Sequence, residues 1–490
     1  MNLWILAPIL LPMLAGGLLP LFVSGENRKR RQVYVASVVV LNTLLVALAI
    51  NLGDLELRAM QLTDAINVYI RMDDLARFFL VLASLLWVLV TFYSFEYLKP
   101  LGKNNRFFSF FLMTYGVIIG ACLSGNFFTL YLFYELMTLL TYPLVTHSGA
   151  DAAMKAGSKY LIYSFFGAAL TLICFVFVAN YGVTTDFIPG GVLEYAAGTG
   201  NEGTLLVVFL LAFIGFGCKA YVWPLFEWVP VSYPEAPSPA AALLSGVVSK
   251  VAVLAIIRVT FYTFGVSFLE GSWVQTVLIC VSLLTVFIGS MLAYKEKLFK
   301  RRLAYSSVSQ LSYVLFGLVI LNSVAFLGAM LHVLFHAIIK VALFLSAGAI
   351  IHKTQKTYVH ELRGVGKAMP ITMWCFTIAA VSLVGIPPSG GFVSKWFLAV
   401  GSIASSYPVL GTIGVGILLV SALLTAGYLI TIFASAFFPG SGFNYAKLVK
   451  TEPGKLMTVP LVTLASLCLL LGMFPGAIIS FIDRIAAIIF

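Results

Sequence analysis

The residues best placed to do chemistry lie in HVLFHAIIK, His332 to Lys340, inside an apolar run from Val324 to Ile351. On a helix turning 100° per residue, His332, His336 and Lys340 recur one turn apart on one face. Imidazole can take a proton on one nitrogen and release it from the other. Insertion scales put a lysine at mid-membrane near +2.5–3.5 kcal/mol, roughly, so a chain keeps one only inside protein or beside internal water. The pattern points to proton transfer, with core histidines satisfied by backbone carbonyls as the plain alternative. Metal binding by the two histidines fits less well, because the glutamate of an HExxH arrangement is absent.

Five basic residues fall inside apolar spans: Lys219, Lys250, Arg258, Lys340 and Lys395. Glu135 is the acid placed near the middle of a span. Lys250, in ALLSGVVSKVAVLAIIR, lies too deep to snorkel. Lys340 falls nearer one end of its span and is given the smaller part. Arg258 closes its helix and is expected to anchor to carbonyls or headgroups. Ser306, Ser307, Ser309 and Gln310 either hydrate the path or bond across helices. His147, His352 and His360 fall at helix ends or in loops and are expected to be solvated.

These side chains need a scaffold, and the composition says which kind. Of 490 residues, 61% are hydrophobic and 10% charged, and the mean hydropathy is +1.02. That excludes a soluble globular domain and makes the chain an all-α polytopic membrane protein. At about 20 apolar residues per span, about fourteen helices are expected near 2–23, 33–52, 75–97, 107–124, 126–147, 158–181, 204–224, 239–263, 272–294, 303–321, 325–351, 370–400, 409–438 and 457–481. The N-terminal segment has no basic region ahead of its apolar stretch and reads as an uncleaved first helix.

The net charge of +11 is a topology signal rather than a nucleic-acid one. Basic residues crowd alternate loops, at Arg28–Arg31, Lys99–Arg106, Lys155–Lys159, Lys295–Arg302, Lys353–Lys367 and Lys447–Lys455. The intervening loops carry Asp54, Asp64, Asp73, Asp186, Glu194 and Glu270 among their acids. The basic loops are therefore expected in the cytoplasm and both termini on the outer, periplasmic side of the cell inner membrane. Six cysteines, Cys122, Cys174, Cys218, Cys280, Cys375 and Cys468, stand singly. They suit apolar helix faces rather than a metal site or a disulfide framework.

Two spans are broken by composition. The seventh runs into PLFEWVPVSYPEAPSPA soon after Lys219, and the twelfth is interrupted by GIPPSGG at 385–391 just before Lys395. A helix opened within a membrane must satisfy its freed backbone groups in protein or water, so such openings mark internal cavities. Their five-helix separation suggests two inverted repeats. The chain divides into helices 1–3 (1–106), a first unit of helices 4–8 (107–263), a second of helices 9–13 (272–438) and a C-terminal loop with helix 14 (439–490).

FYELMTLLTYPLV at 133–145, FGCKAYVWPLFEW at 216–228, APSPAAALLSGVVSKVAVLAIIR at 236–258, KRRLAYSSVSQLSY at 300–313, HVLFHAIIKVALFLSAGAI at 332–350 and GIPPSGGFVSKW at 385–396 together resemble the antiporter-like proton-translocating subunits. That family comprises the large membrane subunits of respiratory complex I, the D-type subunit of Mrp multi-subunit cation/proton antiporters, and membrane subunits of hydrogenases and formate hydrogenlyases. The resemblance is close over about 107–438. It implies an ion pair between Glu135 and Lys219, a connecting role for Lys250, a relay at His332, His336 and Lys340, and a terminal lysine at Lys395. A static buried ion pair is the plain alternative for Glu135 and Lys219. A glutamate that approaches and leaves the lysine would instead switch it between charged and dischargeable states. Phe226 and Tyr233 stand where the family often has loop histidines, so the usual loop protonation site is missing unless Glu227 or Glu235 substitutes, and Ser312 replaces a usual glycine.

The resemblance implies transport of protons, alone or coupled to sodium, along a buried Glu/Lys/His chain in a multi-subunit complex. Its partners are other membrane subunits, similar antiporter-like subunits among them, with peripheral redox subunits if the host is redox-driven. The chain carries no cofactor, metal or catalytic redox motif. A non-pumping scaffold and a contributor to a quinone site are the competing readings.

Overall fold

The computed structural model describes residues 3–23, 27–61, 63, 66–193, 200–440, 443–444 and 449–490. Asp64, Glu194 and Lys447, used above for the charge asymmetry, lie outside them. The first half runs α1 (Ala7–Phe22), α2 (Arg28–Asn51), strands β1 (Glu56–Gln61) and β2 (Asn67–Arg71), α3 (Asp74–Tyr97), α4 (Asn104–Cys122), α5 (Phe127–Val145), α6 (Asp151–Tyr181), α7 (Glu202–Gly217) and α8 (Ser238–Phe264). The second half continues with α9 (Trp273–Lys295), α10 (Phe299–Val319), α11 (Ser323–Thr354), α12 (Pro370–Val384), α13 (Gly390–Ile403), α14 (Pro408–Phe437), α15 (Lys455–Met473) and α16 (Gly476–Ile489).

Among the described residues, 11 helices are long and apolar enough to cross a membrane. The difference from the expected fourteen has a local cause at each place. The seventh span shortens to the 16-residue α7, because the chain opens after Gly217. The twelfth divides into α12 and α13 at Gly385, whose φ of 92° only glycine adopts readily. The basic and serine-rich start of α10 lowers its apolarity. The last span ends at Met473 rather than near 481, and the amphipathic α16 follows Pro475. It turns Ile482, Ile485, Ala486 and Ile489 inward. Phe490 then meets Phe261 of α8 and Phe326 of α11.

A feature with no helical signature is the antiparallel hairpin β1–β2, paired Glu56 to Arg71 and Leu57 to Ile70. It marks one side of the molecule, where Ile70 bridges Ser124 and Asn126 bridges Asp186. On the opposite side Leu298 bridges Tyr358, which joins two of the basic loops.

Two helices form the interior. The α8 stretch is buried throughout and α11 nearly so, whereas α2 and α14 are mostly uncovered by the chain itself. These two carry Lys250 and the His332, His336, Lys340 series. α8 also departs from regular α geometry twice, with π-helical turns at Leu244–Val248 and Arg258–Phe264. Such turns shift the hydrogen-bond ladder and release carbonyls to other donors.

The second π turn begins at Arg258, and here the expectation of carbonyl or headgroup anchoring is corrected. Arg258 donates from Nη1 and Nη2 to both Asp73 oxygens, at 2.6 and 2.8 Å, and is 1% exposed. Asp73 is brought there because it caps α3, accepting from the Ala76 amide at 2.9 Å. Its partial burial works to raise the carboxyl pKa; the Arg258 charge and hydrogen bonds, with Arg71 behind them, outweigh this and hold it at about 2. The folded pKa lies below the ordinary 3.8, so the stabilisation is present above that value and fades as pH falls toward 2. That shift corresponds to about 2 kcal/mol at neutral pH. Asp73→Asn also leaves a buried guanidinium without its counter-charge, so a loss of about 3–5 kcal/mol is expected. Thermal unfolding of the detergent-solubilised protein should show a lowered midpoint, and an unchanged one would contradict the assignment.

Candidate functional site

Lys219 lies just beyond the end of α7, where the backbone opens. Gly217 accepts from the Val222 amide at 2.9 Å, and the Trp228 indole donates to the Cys218 carbonyl at 2.9 Å. These bonds satisfy groups that a broken helix exposes. The side chain turns into α5, where Nζ donates to Thr138 Oγ1 at 2.5 Å and lies 3.6 Å from the centre of the Tyr134 ring. Glu135 Oε1 is 3.9 Å away, longer than the 2.7–2.9 Å or so of a charge-assisted hydrogen bond. Lys219 is 1% exposed and Glu135 20%. The two charges attract without being locked together.

The first π turn of α8 positions Lys250. Its Nζ donates to the Ser245 carbonyl, a group of that turn, at 2.6 Å. It also lies 2.8 Å from His336 Nδ1 on α11. When Lys250 is an ammonium it must be the donor, which makes Nδ1 the acceptor and puts the imidazole proton on Nε2. His336 stacks on His332 with ring centres 5.8 Å apart and 12° between planes, and His332 stacks in turn on Tyr313 of α10 at 5.5 Å. His332 Nδ1 is 2.9 Å from Ser394 Oγ of α13. Each Nδ1 thus faces a different partner, a geometry that does not converge on one ion. Among the described residues both Nε2 atoms are buried without a side-chain hydrogen-bond partner. Buried polar atoms of this kind are where internal water sits.

Lys395 occupies the break between α12 and α13. Nζ donates to the carbonyls of Leu383 and Val384 at 2.7 and 2.9 Å, the last turn of α12, which would otherwise lack donors. The approach is so close that a Cβ at Gly391 would meet the Ser382 oxygen at 1.8 Å, so no other residue fits. Lys395 Nζ is 5.1 Å from the Tyr313 ring that carries His332 on the stack above. Lys340 separates from this line. It turns to α10, donating to the Leu303 carbonyl at 3.1 Å and to Ser306 Oγ.

The structure therefore lines up Lys250, His336 and His332, sets His332 and Lys395 on the ring of Tyr313, holds Glu135 beside Lys219, and sets Lys340 to one side. Sequence reasoning missed Tyr134 and Thr138, although Thr138 follows Glu135 by three residues and so shares its face. It also missed Ser394, Tyr313 and the carbonyl role of Ser245, which follow from helix contacts. The serines on α10 bond across helices: Ser307 to Ser245 at 2.9 Å, and Ser309 to Ser290 at 2.7 Å.

A sequence model of the NADH:quinone oxidoreductase/Mrp antiporter transmembrane family matches residues 124–425. The chain belongs to this family. It is 28% identical over 477 residues to the D-type subunit of the Na(+)/H(+) antiporter of Alkalihalophilus pseudofirmus, covering 96% of this chain and 94% of that one. It is 31% identical over 422 residues to the N-type subunit of the NADH-quinone oxidoreductase of Desulforudis audaxviator, covering 83% and 82%. Among solved structures, a chain of the Mrp complex from a Dietzia species superimposes with a TM-score of 0.85 at 22% identity, covering 99% of this chain and 97% of that one. A chain of an archaeal membrane-bound sulfane sulfur reductase superimposes at 0.86 and 21%, again covering 99% and 97%. These relatives and neighbours are parts of multi-subunit membrane complexes, and the two solved folds each cover 99% of this chain.

Within this antiporter-like family, the loop after α7 is where the chain departs from the expected histidines. Phe226 is buried and meets the Tyr305 ring. Tyr233 is buried with its hydroxyl on that of Tyr221, which also reaches the Leu244 carbonyl at 3.4 Å. The acids expected to substitute are elsewhere: Glu227 is 61% exposed and pairs with Lys159 at 3.2 Å, and Glu235 is exposed. Two further expectations are adjusted. His147 is 3% exposed rather than solvated; burial and the Arg106 charge hold its pKa down at about 4. His360 is exposed as expected, and His352 only partly so. Glu227→Gln should change stability by less than about 1 kcal/mol and leave ion transport in inverted vesicles intact. Tyr233→Phe, which removes a buried hydroxyl, should slow transport; a wild-type rate for Tyr233→Phe with a slowed Glu227→Gln would place the loop's polar function on Glu227 instead.

Proposed function

We propose that this chain is a proton-translocating, antiporter-like subunit of a multi-subunit complex in the plasma membrane. The path runs Glu135, Lys219, Lys250, His336, His332 and Lys395, with Lys340 as a branch. The observation that carries the reading is the Lys250 to His336 contact of 2.8 Å, leading onto a stacked imidazole pair whose Nε2 atoms have no side-chain partner among the described residues. Lys250 can hand a proton to Nδ1, and His336 can then release one from Nε2 toward His332 through water. Between Lys219 and Lys250 the Tyr221–Tyr233 hydroxyl pair and the Leu244 carbonyl supply polar stepping points.

The loose Glu135–Lys219 pair is the coupling element in this reading. Moving the carboxylate away favours the neutral amine, and returning it favours the ammonium. The basic-loop asymmetry supports a cytoplasmic location for the loops bearing Lys297 and Arg363, with both termini outside. Relatives named as antiporter subunits and as quinone oxidoreductase subunits support the same ion path under two drivers, a sodium or proton gradient or a redox reaction in partner subunits.

Proton movement in inverted vesicles tests the path. Lys250→Met and His336→Phe should each lower the rate by about a hundredfold, as loss of a positioned proton carrier does. Rates equal to wild type would make the chain a scaffold. Mass spectrometry of the intact complex, purified in mild detergent, separates the hosts: iron–sulfur or quinone-reducing partners indicate a redox pump, and membrane subunits alone an antiporter.

A further inference from the structure

A cavity of about 540 Å³ opens between the start of α10, the end of α14 and the segment 359–363, lined by Lys297, Arg302, His360, Arg363, Thr431 and Ser435. Three cations, one imidazole and two hydroxyls converge on it, and no carboxylate lines it. Arg302 is the unusual member. It is 9% exposed, and every hydrogen bond its guanidinium makes goes to a neutral carbonyl: Nε and Nη2 to Glu296 O at 2.9 and 2.6 Å, and Nη1 to Tyr428 O at 2.9 Å. A buried full charge ordinarily has a counter-charge, and among the described residues no carboxylate pairs with Arg302, Lys297 or Arg363. Glu296 is the flanking acid whose charge reaches Arg302, but its Oε2 lies 3.9 Å from Arg301 Nη1 and forms no ion pair with Arg302 among the described residues. Glu296 Oε1 accepts from the Lys297 and Leu298 amides at 2.8 and 2.9 Å, and Glu361 Oε2 from those of Thr357 and Tyr358 at 3.0 and 2.8 Å. Arg302 also stands in the first turn of α10, the positive end of that helix.

We propose that this cavity binds a phosphate oxyanion, either the phosphodiester of an anionic phospholipid headgroup or free inorganic phosphate. Arg302, Lys297 and Arg363 supply the charge, while the Thr431 and Ser435 hydroxyls, which donate to the Gly427 and Ile432 carbonyls at 2.9 and 3.0 Å, line the site as polar neighbours. The cavity lies at helix ends, the depth at which headgroups sit, and basic pockets there take anionic lipids. Occupancy has a route to the ion path, because Arg302 adjoins Leu303, whose carbonyl holds Lys340. That consequence rests on the proposed function, whereas the binding itself does not.

The test uses the intact complex in phosphatidylcholine nanodiscs, with and without phosphatidylglycerol, read by thermal midpoint and by lipid retained in native mass spectrometry. Phosphatidylglycerol should raise the midpoint and be retained, and Arg302→Gln should weaken retention by about tenfold or more, the loss expected for a hydrogen bond to a charged group. The paired change Lys297→Gln with Thr431→Val touches only the cavity rim and should show the same direction if Arg302→Gln does not fold. Equal stabilisation by inorganic phosphate in phosphatidylcholine discs would identify the free ion as ligand. No response to either anion, retention unchanged in the rim variant, or a neighbouring subunit's carboxylate seated in the cavity would overturn the proposal.

Discussion

A charge inside an apolar slab must find its polar partners within the protein, and most of the irregular features of this chain follow from that requirement. Lys250 is served by a carbonyl of a π turn, Lys395 by the last carbonyls of a helix that stops at Gly385, and Lys340 by the Leu303 carbonyl of α10. The first two acceptors would not be free in an uninterrupted α-helix, whose carbonyls already receive amides four residues on, whereas Leu303 lies inside the regular α10 and shares its carbonyl. Lys250 and Lys395 therefore occur with backbone irregularities because each supplies what the other lacks.

The two carboxylate pairs solve the same problem with different stiffness. Arg258 and Asp73 form a two-point fork at 2.6 and 2.8 Å, and Asp73 is further fixed as the cap of α3. Its carboxyl, held at about 2, carries no proton at physiological pH and suits a structural clasp between α3 and α8. Lys219 has its closest polar partner in Thr138 and its carboxylate at 3.9 Å. A lysine stabilised by a hydroxyl and an aromatic face can gain or lose the carboxylate without losing every partner. The contrast separates a tight clasp from a loose pair on geometry alone.

Much of this was legible in the sequence, for physical reasons that particular residues show. Lys219, Lys250, His332, His336 and Lys395 stand out because a titratable group in an apolar run has few innocent explanations. GIPPSGG announces a break because two adjacent prolines flanked by glycines remove several helix hydrogen bonds together, whereas single prolines such as Pro143 and Pro460 stay inside helices. The partners were not legible. Arg258 and Asp73 are 185 residues apart, and nothing in either segment names the other. His147 looked solvated because it ends a helix, yet Phe107 of α4 covers it. The β1–β2 hairpin and α16 escaped notice because, in a chain this apolar, short amphipathic segments are masked by their neighbours. The π turns have no composition signal at all, since LSGVV and RVTFYTF read as ordinary helix.

Helical spacing places His332, His336 and Lys340 on one face, but neighbours decide what that face does. At His336 the facing element is α8, whose π turn brings Lys250 forward to 2.8 Å. One turn later the element in reach is α10, and Lys340 bonds to Leu303 and Ser306 there instead. One turn earlier His332 meets Ser394 of α13, so a single stripe of side chains is divided among three helices. A row of equivalent positions thus becomes a line through His332 and His336 with Lys340 as a side arm. The division depends on helix packing, so exchanging lysine and histidine between positions 336 and 340 would preserve the sequence pattern and still lose the Lys250 contact.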